Sequence, residues 1–210
     1  MFILIPAILV YEFLKAQNKM VLLLIIAGTL TGILVSTLTA VFTYLHRVPE
    51  YSFASNFVYY LLSFYALPVL LVYLAYFFCT KDEIGIRVKA FFPVTVSFYA
   101  VFMPYIIIAS DNSLCSFFML FAKPVLLVSM LFLCSRLCYN IFDGLENNVP
   151  AKIVVNGLLA AIVLCVPAAL ETLWLINVLE PLVYGIAVVF SLGALVLFFV
   201  ESRHGTKYFF

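Results

Sequence analysis

Six stretches of this chain stay apolar long enough to cross a lipid bilayer, at 20–45, 54–78, 88–110, 115–138, 151–176 and 180–200. A helix needs about 20 residues to traverse the hydrocarbon core. In that medium every backbone N–H and C=O must be satisfied within the chain, which leaves helices or closed barrels. Composition agrees: 67% of the 210 residues are hydrophobic and 10% are charged, against about 25% charged in a soluble domain. The expected fold is therefore all-α, a polytopic transmembrane helix bundle of six long spans plus a short N-terminal seventh hydrophobic helix. Spans and turns account for residues 1–210 as a single integral membrane domain, with no soluble domain.

The seventh helix would come from "MFILIPAILVYEFL" at 1–14. It offers about 20 Å of helix against a hydrocarbon core of about 30 Å. It lacks the basic start and small-residue cleavage site of a signal peptide, and lacks the polar face of a surface helix. A short, tilted span fits it best.

The connections are short and carry turn residues: "HRVPEYS" at 46–52, "TKDEIG" at 80–85, "SDNS" at 110–113 and "NIFDGLENNVP" at 140–150. Numbering sides alternately puts Lys15, Lys19, Lys81, Arg87, Lys89, Arg136, Lys152, Arg203 and Lys207 on one side, with only Arg47 on the other. Such a bias marks the rich side as cytoplasmic. The expectation is a multi-pass protein of the cell (inner or plasma) membrane with a cytoplasmic C-terminus.

Small residues recur every fourth position at Gly28, Gly32, Ser36 and Ala40, and again at Gly157, Ala161, Cys165 and Ala169. Lipid tails are as apolar as leucine, so helices in a bilayer associate through close backbone contact, which small residues permit. Both stripes read as helix-packing faces, either against each other or against separate neighbours; a homodimer seam is the alternative. Threonines flank the first stripe and can bond back to their own helix. Pro68, Pro93, Pro104, Pro124, Pro167 and Pro181 lie in or beside spans, and only 20–45 lacks one. Each removes a backbone donor and can bend its helix, so the bundle interior is expected to be irregular.

Two ionisable residues fall inside spans. Lys123 lies about 13 Å, and Glu171 about 9 Å, from the outer ends of their helices. Intramembrane charge is costly, and three readings compete: independent snorkelling of the side chains to the outer headgroups, a structural Lys123–Glu171 pair, or a working substrate or proton site. Asn56, Tyr59, Tyr60 and Ser63 follow at i, i+3, i+4 and i+7 on one helical face. Lys123, Glu171, Asn56, Tyr60 and Ser63 form a candidate polar site in the outer half, with Glu50 and Asp111 near its mouth. Tyr65 and Tyr99 lie deep enough to need hydroxyl partners within the bundle. Glu180, before Pro181, suits a helix N-terminus. Arg136, Asn140, Asp143, Glu146 and Lys152 gather around one cytoplasmic turn.

Several chemistries lack their residues. The sequence has no HExxH, GxSxG or GxxxxGK[ST] motif and no regular arginine series. Five scattered cysteines are not a disulfide framework, and His46 and His204 are too remote to join them at a metal. No cofactor, no metal and no nucleic-acid partner is expected at a net charge of +1. The leading functional expectation is a permease or membrane subunit of a solute transport system. The alternatives are a non-catalytic subunit or assembly factor of a membrane complex, and a membrane-embedded enzyme acting on a lipid or lipid-linked substrate.

Overall fold

The computed structural model describes residues 19–45, 52–79, 88, 90–109 and 116–203. The segment 1–14 lies outside the described residues, as do Arg47, Glu50 and Asp111. Among the described residues every regular element is helical. Helix α1 is Lys19–Leu45, α2 is Phe53–Tyr60 and α3 is Leu67–Cys79, with a π-helical turn at Leu61–Ala66 joining α2 to α3. Helix α4 is Phe91–Ala109. A second π turn, Phe118–Ala122, leads into α5, Lys123–Glu146. Helices α6 and α7 are Pro150–Leu175 and Glu180–Arg203. Five helical runs are long and apolar enough to cross a membrane: Leu22–Val41, Phe53–Phe78, Phe118–Glu146, Pro150–Leu175 and Glu180–Val200. A shorter apolar helix, Phe91–Ile107, accompanies them. This architecture is compatible with a membrane-embedded protein.

The core sits on α4 and α5. Residues Phe91 to Tyr99 are all buried, because α4 is covered by α1, α3 and α5. Helix α5 in turn packs on α4, α6 and α7. Aromatic pairs set the directions. Tyr73 meets Phe91 at 4.8 Å and Phe64 meets Phe102 at 6.4 Å between ring centroids, so α3 runs antiparallel to α4. Phe117 meets Tyr184 and Phe132 meets Phe198, so α5 and α7 run parallel.

Helix α1 owes its seat to glycine. A Cβ on Gly28 would lie 1.9 Å from Ser97 Oγ and 2.5 Å from the Val94 carbonyl oxygen, and one on Gly32 would lie 2.8 Å from the Phe98 carbonyl oxygen. Ser36 is buried one turn further on, while Ala40 is exposed. The hydroxyls of Thr29, Thr31, Ser36, Thr37 and Thr39 all donate to carbonyls of their own helix, so the contact is one of backbone against backbone.

The second small-residue stripe is placed differently. Gly157 has nothing within 4 Å of an added Cβ, and Ala161 is exposed. The stripes do not face each other. Helix α6 buries only its last turns, at Pro167, Ala168, Leu170, Glu171 and Thr172, and its middle lies on the periphery.

The polar stretch 140–150 is also more helical than its composition suggests. Helix α5 continues to Glu146, and only Asn147, Asn148 and Val149 form the turn. Side chains from α6 explain the extension: Lys152 Nζ donates to Asp143, and Asn140 Nδ2 donates to Asn156 Oδ1 at 3.3 Å. The helix stops at Asn148, whose φ of 54° is left-handed. There the Val149 N–H reaches back to the Gly144 carbonyl at 2.9 Å, a glycine-like helix stop that asparagine tolerates. Asn177, with φ of 56°, ends α6 in the same way.

Candidate functional site

Two π turns and one intrahelical proline surround one ion pair. The first break precedes Pro68. Proline donates no backbone bond, and its ring clashes with the carbonyl four residues earlier. The chain widens to a π turn at Leu61–Ala66, where the Leu67 N–H bonds to the Leu62 carbonyl, five residues back. The second break has the same grammar. Phe118–Ala122 is a π turn, the Lys123 N–H bonds to the Phe118 carbonyl, and Pro124 follows. Helix α6 runs without a break, but Pro167 lies inside it, four residues before Glu171. Single π turns inside α-helices recur at functional sites.

Lys123 Nζ donates to Glu171 Oε1 in an ion pair. Tyr65 Oη donates to the other carboxylate oxygen, Oε2, at 2.5 Å. The Lys123 ammonium also lies 5.5 Å from the centroid of the Phe64 ring, within reach of a cation–π attraction. Tyr99 Oη, from α4, donates to the Phe64 carbonyl at 2.6 Å and approaches the Tyr65 carbonyl at 3.2 Å. The Phe64 carbonyl is the acceptor that Pro68 cannot serve, so the tyrosine hydroxyl replaces the missing donor.

Lys123, Glu171 and Tyr65 are 1%, 2% and 1% exposed. The two carboxylate oxygens are thus met by one ammonium and one phenol. Truncating one member of such a buried pair strands the other charge at a cost of about 3–5 kcal/mol. Chemically, the arrangement can exchange the cation held on Glu171 or take up a proton there.

Of the residues singled out in the sequence, Lys123 and Glu171 are in contact, and Tyr60 is half-buried on the helical run that carries Tyr65. Asn56 and Ser63 are half-buried on the same helical run, and the Glu171 oxygens bond to Lys123 and Tyr65 instead. Tyr65, Phe64 and Tyr99 were not among the site residues read from the sequence. The π turn accounts for this. Its bonds span five residues rather than four, so the turn is wider than an α turn and carries Tyr65 nearer to the face of Tyr60 than an α-helical reading does. The nearby Pro68 was the available signal.

Beside this site, Phe118 stacks on Trp174 at 4.9 Å and 8°, joining α5 to α6. Among the described residues no three of His, Cys, Asp and Glu come together to hold a metal ion. Cys134, Cys138 and Cys165 are free thiols. The cluster at the α5–α6 turn is a half-exposed ion pair of Lys152 and Asp143, at 37% and 36%, with Asn147 Nδ2 bonded to the Asp143 carbonyl at 2.9 Å. It clamps a hairpin. No protein-family model, no curated protein and no solved structure matches this chain.

Proposed function

We propose that the chain is a multi-pass protein of the cell (inner or plasma) membrane that acts as a permease, or as the membrane subunit of a solute transport system. Its central site is Lys123, Glu171 and Tyr65. Its spans are the five long apolar helices together with the enclosed helix Phe91–Ile107, and segment 1–14 would add a seventh. The excess of lysine and arginine on one set of turns supports a cytoplasmic C-terminus.

The observation that carries this reading is a buried charge pair of Lys123 and Glu171 joined by Tyr65, with a π turn beside Lys123, another holding Tyr65, and a proline four residues before Glu171. Discontinuous helices around a buried polar site are the usual construction of secondary transporters, because broken turns supply both ligands and hinge points. Irregular backbone at membrane depth is tolerated only inside protein or along a cavity. The enclosed pair corresponds to an occluded state, closed to both sides.

The test is uptake by proteoliposomes of a labelled panel of amines, amino acids, sugars and organic acids. Glu171→Gln and Lys123→Ala are expected to abolish accumulation while reconstituted protein stays equal. Equal uptake by the variants refutes the site. Failure of the wild type to accumulate any panel member above empty liposomes refutes transport.

A second reading is a non-catalytic subunit or assembly factor of a membrane complex. It is favoured by the open apolar faces of α6 and α7, where Leu158, Ile162, Val189 and Val196 are exposed. Stable co-purification with other membrane chains in mild detergent supports it, and a clean monomer counts against it.

A further inference from the structure

Resting on the transport reading, we infer that this site takes a cation, specifically a primary alkylammonium group, and that the Lys123 ammonium occupies the substrate's place. The surroundings of Nζ attract positive charge. Glu171 supplies the carboxylate. Phe64 turns a ring face toward the ammonium. Tyr65 donates its hydroxyl to Glu171. Aromatic faces carry negative potential, and ammonium recognition is their characteristic use.

An anion would find much less. Among the described residues, Lys123 and Glu171 are the only buried charged side chains. An incoming carboxylate or phosphate would meet one ammonium and have to displace a carboxylate already tethered beside it. The remaining neighbours do not help it. Tyr65 donates to Glu171, Tyr99 donates to the Phe64 and Tyr65 carbonyls, and Thr172 donates to Ala168.

Exchange of one ammonium for another is the step with the smallest electrostatic cost. Lys123 is a flexible four-carbon stem that can swing toward the nearer helix end and place its charge among headgroups. Glu171 is then never left bare, because substrate replaces lysine as lysine leaves. The return of Lys123 to Glu171 discharges the substrate on the other side. A variant without the lysine therefore binds amine more tightly and turns over less, which separates affinity from uptake.

The probe is n-propylammonium, which is the part of the lysine side chain that Lys123→Ala removes. Purified Lys123→Ala is melted in detergent with propylammonium chloride, sodium chloride or sodium propionate at equal ionic strength. Propylammonium is expected to raise its melting temperature saturably, by at least about 5 °C, and the other two salts are not. The shift is expected to vanish in Lys123→Ala/Glu171→Gln. In the wild type, where the tethered ammonium competes, propylammonium should bind at least tenfold more weakly. Where the alanine variant does not fold, Lys123→Gln, which keeps a donor for Glu171, is read in the same way. A shift with propionate, or none specific to propylammonium in either variant, overturns the inference. Because no gradient is involved, amine rescue without uptake of any solute retires transport and keeps the cation site. Uptake of an uncharged solute without amine rescue does the reverse.

Discussion

The contact between α1 and α4 should make two glycine-to-alanine substitutions in one chain differ in sign. At Gly28 the added methyl meets a backbone atom, the Val94 carbonyl oxygen, at 2.5 Å. Ser97 can rotate its hydroxyl aside, but the carbonyl cannot move without α4. Restoring an ordinary contact of 3.4 Å therefore pushes α1 outward by 0.9 Å at the crossing. A gap of about 0.5–1 Å forfeits a quarter to a half of each dispersion contact, which is worth about 0.1–0.2 kcal/mol. Spread over about as many atom pairs as one buried leucine makes, the loss is of order 2 kcal/mol, within the usual range for overpacking. At Gly157 the same methyl enters open space. There it only removes the glycine penalty in a helix, up to about 1 kcal/mol.

The two variants should therefore differ by about 2–3 kcal/mol, or about 30- to 150-fold in the unfolding constant. The assay is reversible unfolding by SDS in mixed micelles, followed by helical circular dichroism and by fluorescence of Trp174, the chain's one tryptophan. Gly28→Ala should unfold at lower SDS and Gly157→Ala at equal or higher SDS. Equal midpoints would mean that α1 does not seat its glycines on α4, and the packing argument would fail.

Three further outcomes are expected in the same assay. Lys123→Met should cost about 3–5 kcal/mol, and adding Glu171→Leu should recover most of it, since a buried pair replaced as a unit is often neutral; additive losses would contradict the pairing. Leu179 has φ of 47° and is exposed, so Leu179→Gly should raise stability by about 1 kcal/mol by relieving left-handed strain, and a loss would show that its side chain packs. Asp143→Asn should change stability by less than about 1 kcal/mol, because its partner Lys152 is half-exposed and the pair is screened.

The run of apolar residues made the helices legible, because hydrocarbon leaves a chain few other ways to satisfy its backbone. The spacing of Gly28, Gly32 and Ser36 showed that something packs closely there, but not that Val94, Ser97 and Phe98 do so. Gly157 and Ala161 repeat that spacing and lie against nothing. Periodicity describes one face of one helix, and a contact needs two. Depth counted along the helices put Lys123 and Glu171 at comparable levels, which made a meeting conceivable; tertiary packing decided it. Tyr65 escaped because the count assumed α-helical turns throughout, and the prolines that cause the π turns were read as kinks rather than as shifts of register. The α5–α6 turn was drawn too long because polar residues at 140–146 looked like loop. On a helix they bond across to α6 instead.

Helix α4 explains how a rigid contact and a broken one coexist. On one side it takes the backbone of α1 at Gly28 and Gly32, which meet the Val94 and Phe98 carbonyls and the side chains of Ser97 and Val101. Two residues after Ser97, Tyr99 reaches the other way and holds the Phe64 and Tyr65 carbonyls that frame the ion pair. The described α1 carries no proline, spends its hydroxyls on its own carbonyls and offers no charge to the centre. Its role is to fix α4. The π turns lie on the α2–α3 run and at the start of α5, and α6 carries a proline; each of the three runs contributes one member of the buried triad. A bundle needing only to be packed would have no reason to gather two π turns and a proline around the one buried ion pair among the described residues. Placing them there makes the Lys123–Glu171 contact the point where small changes in helix geometry have the largest electrostatic consequence.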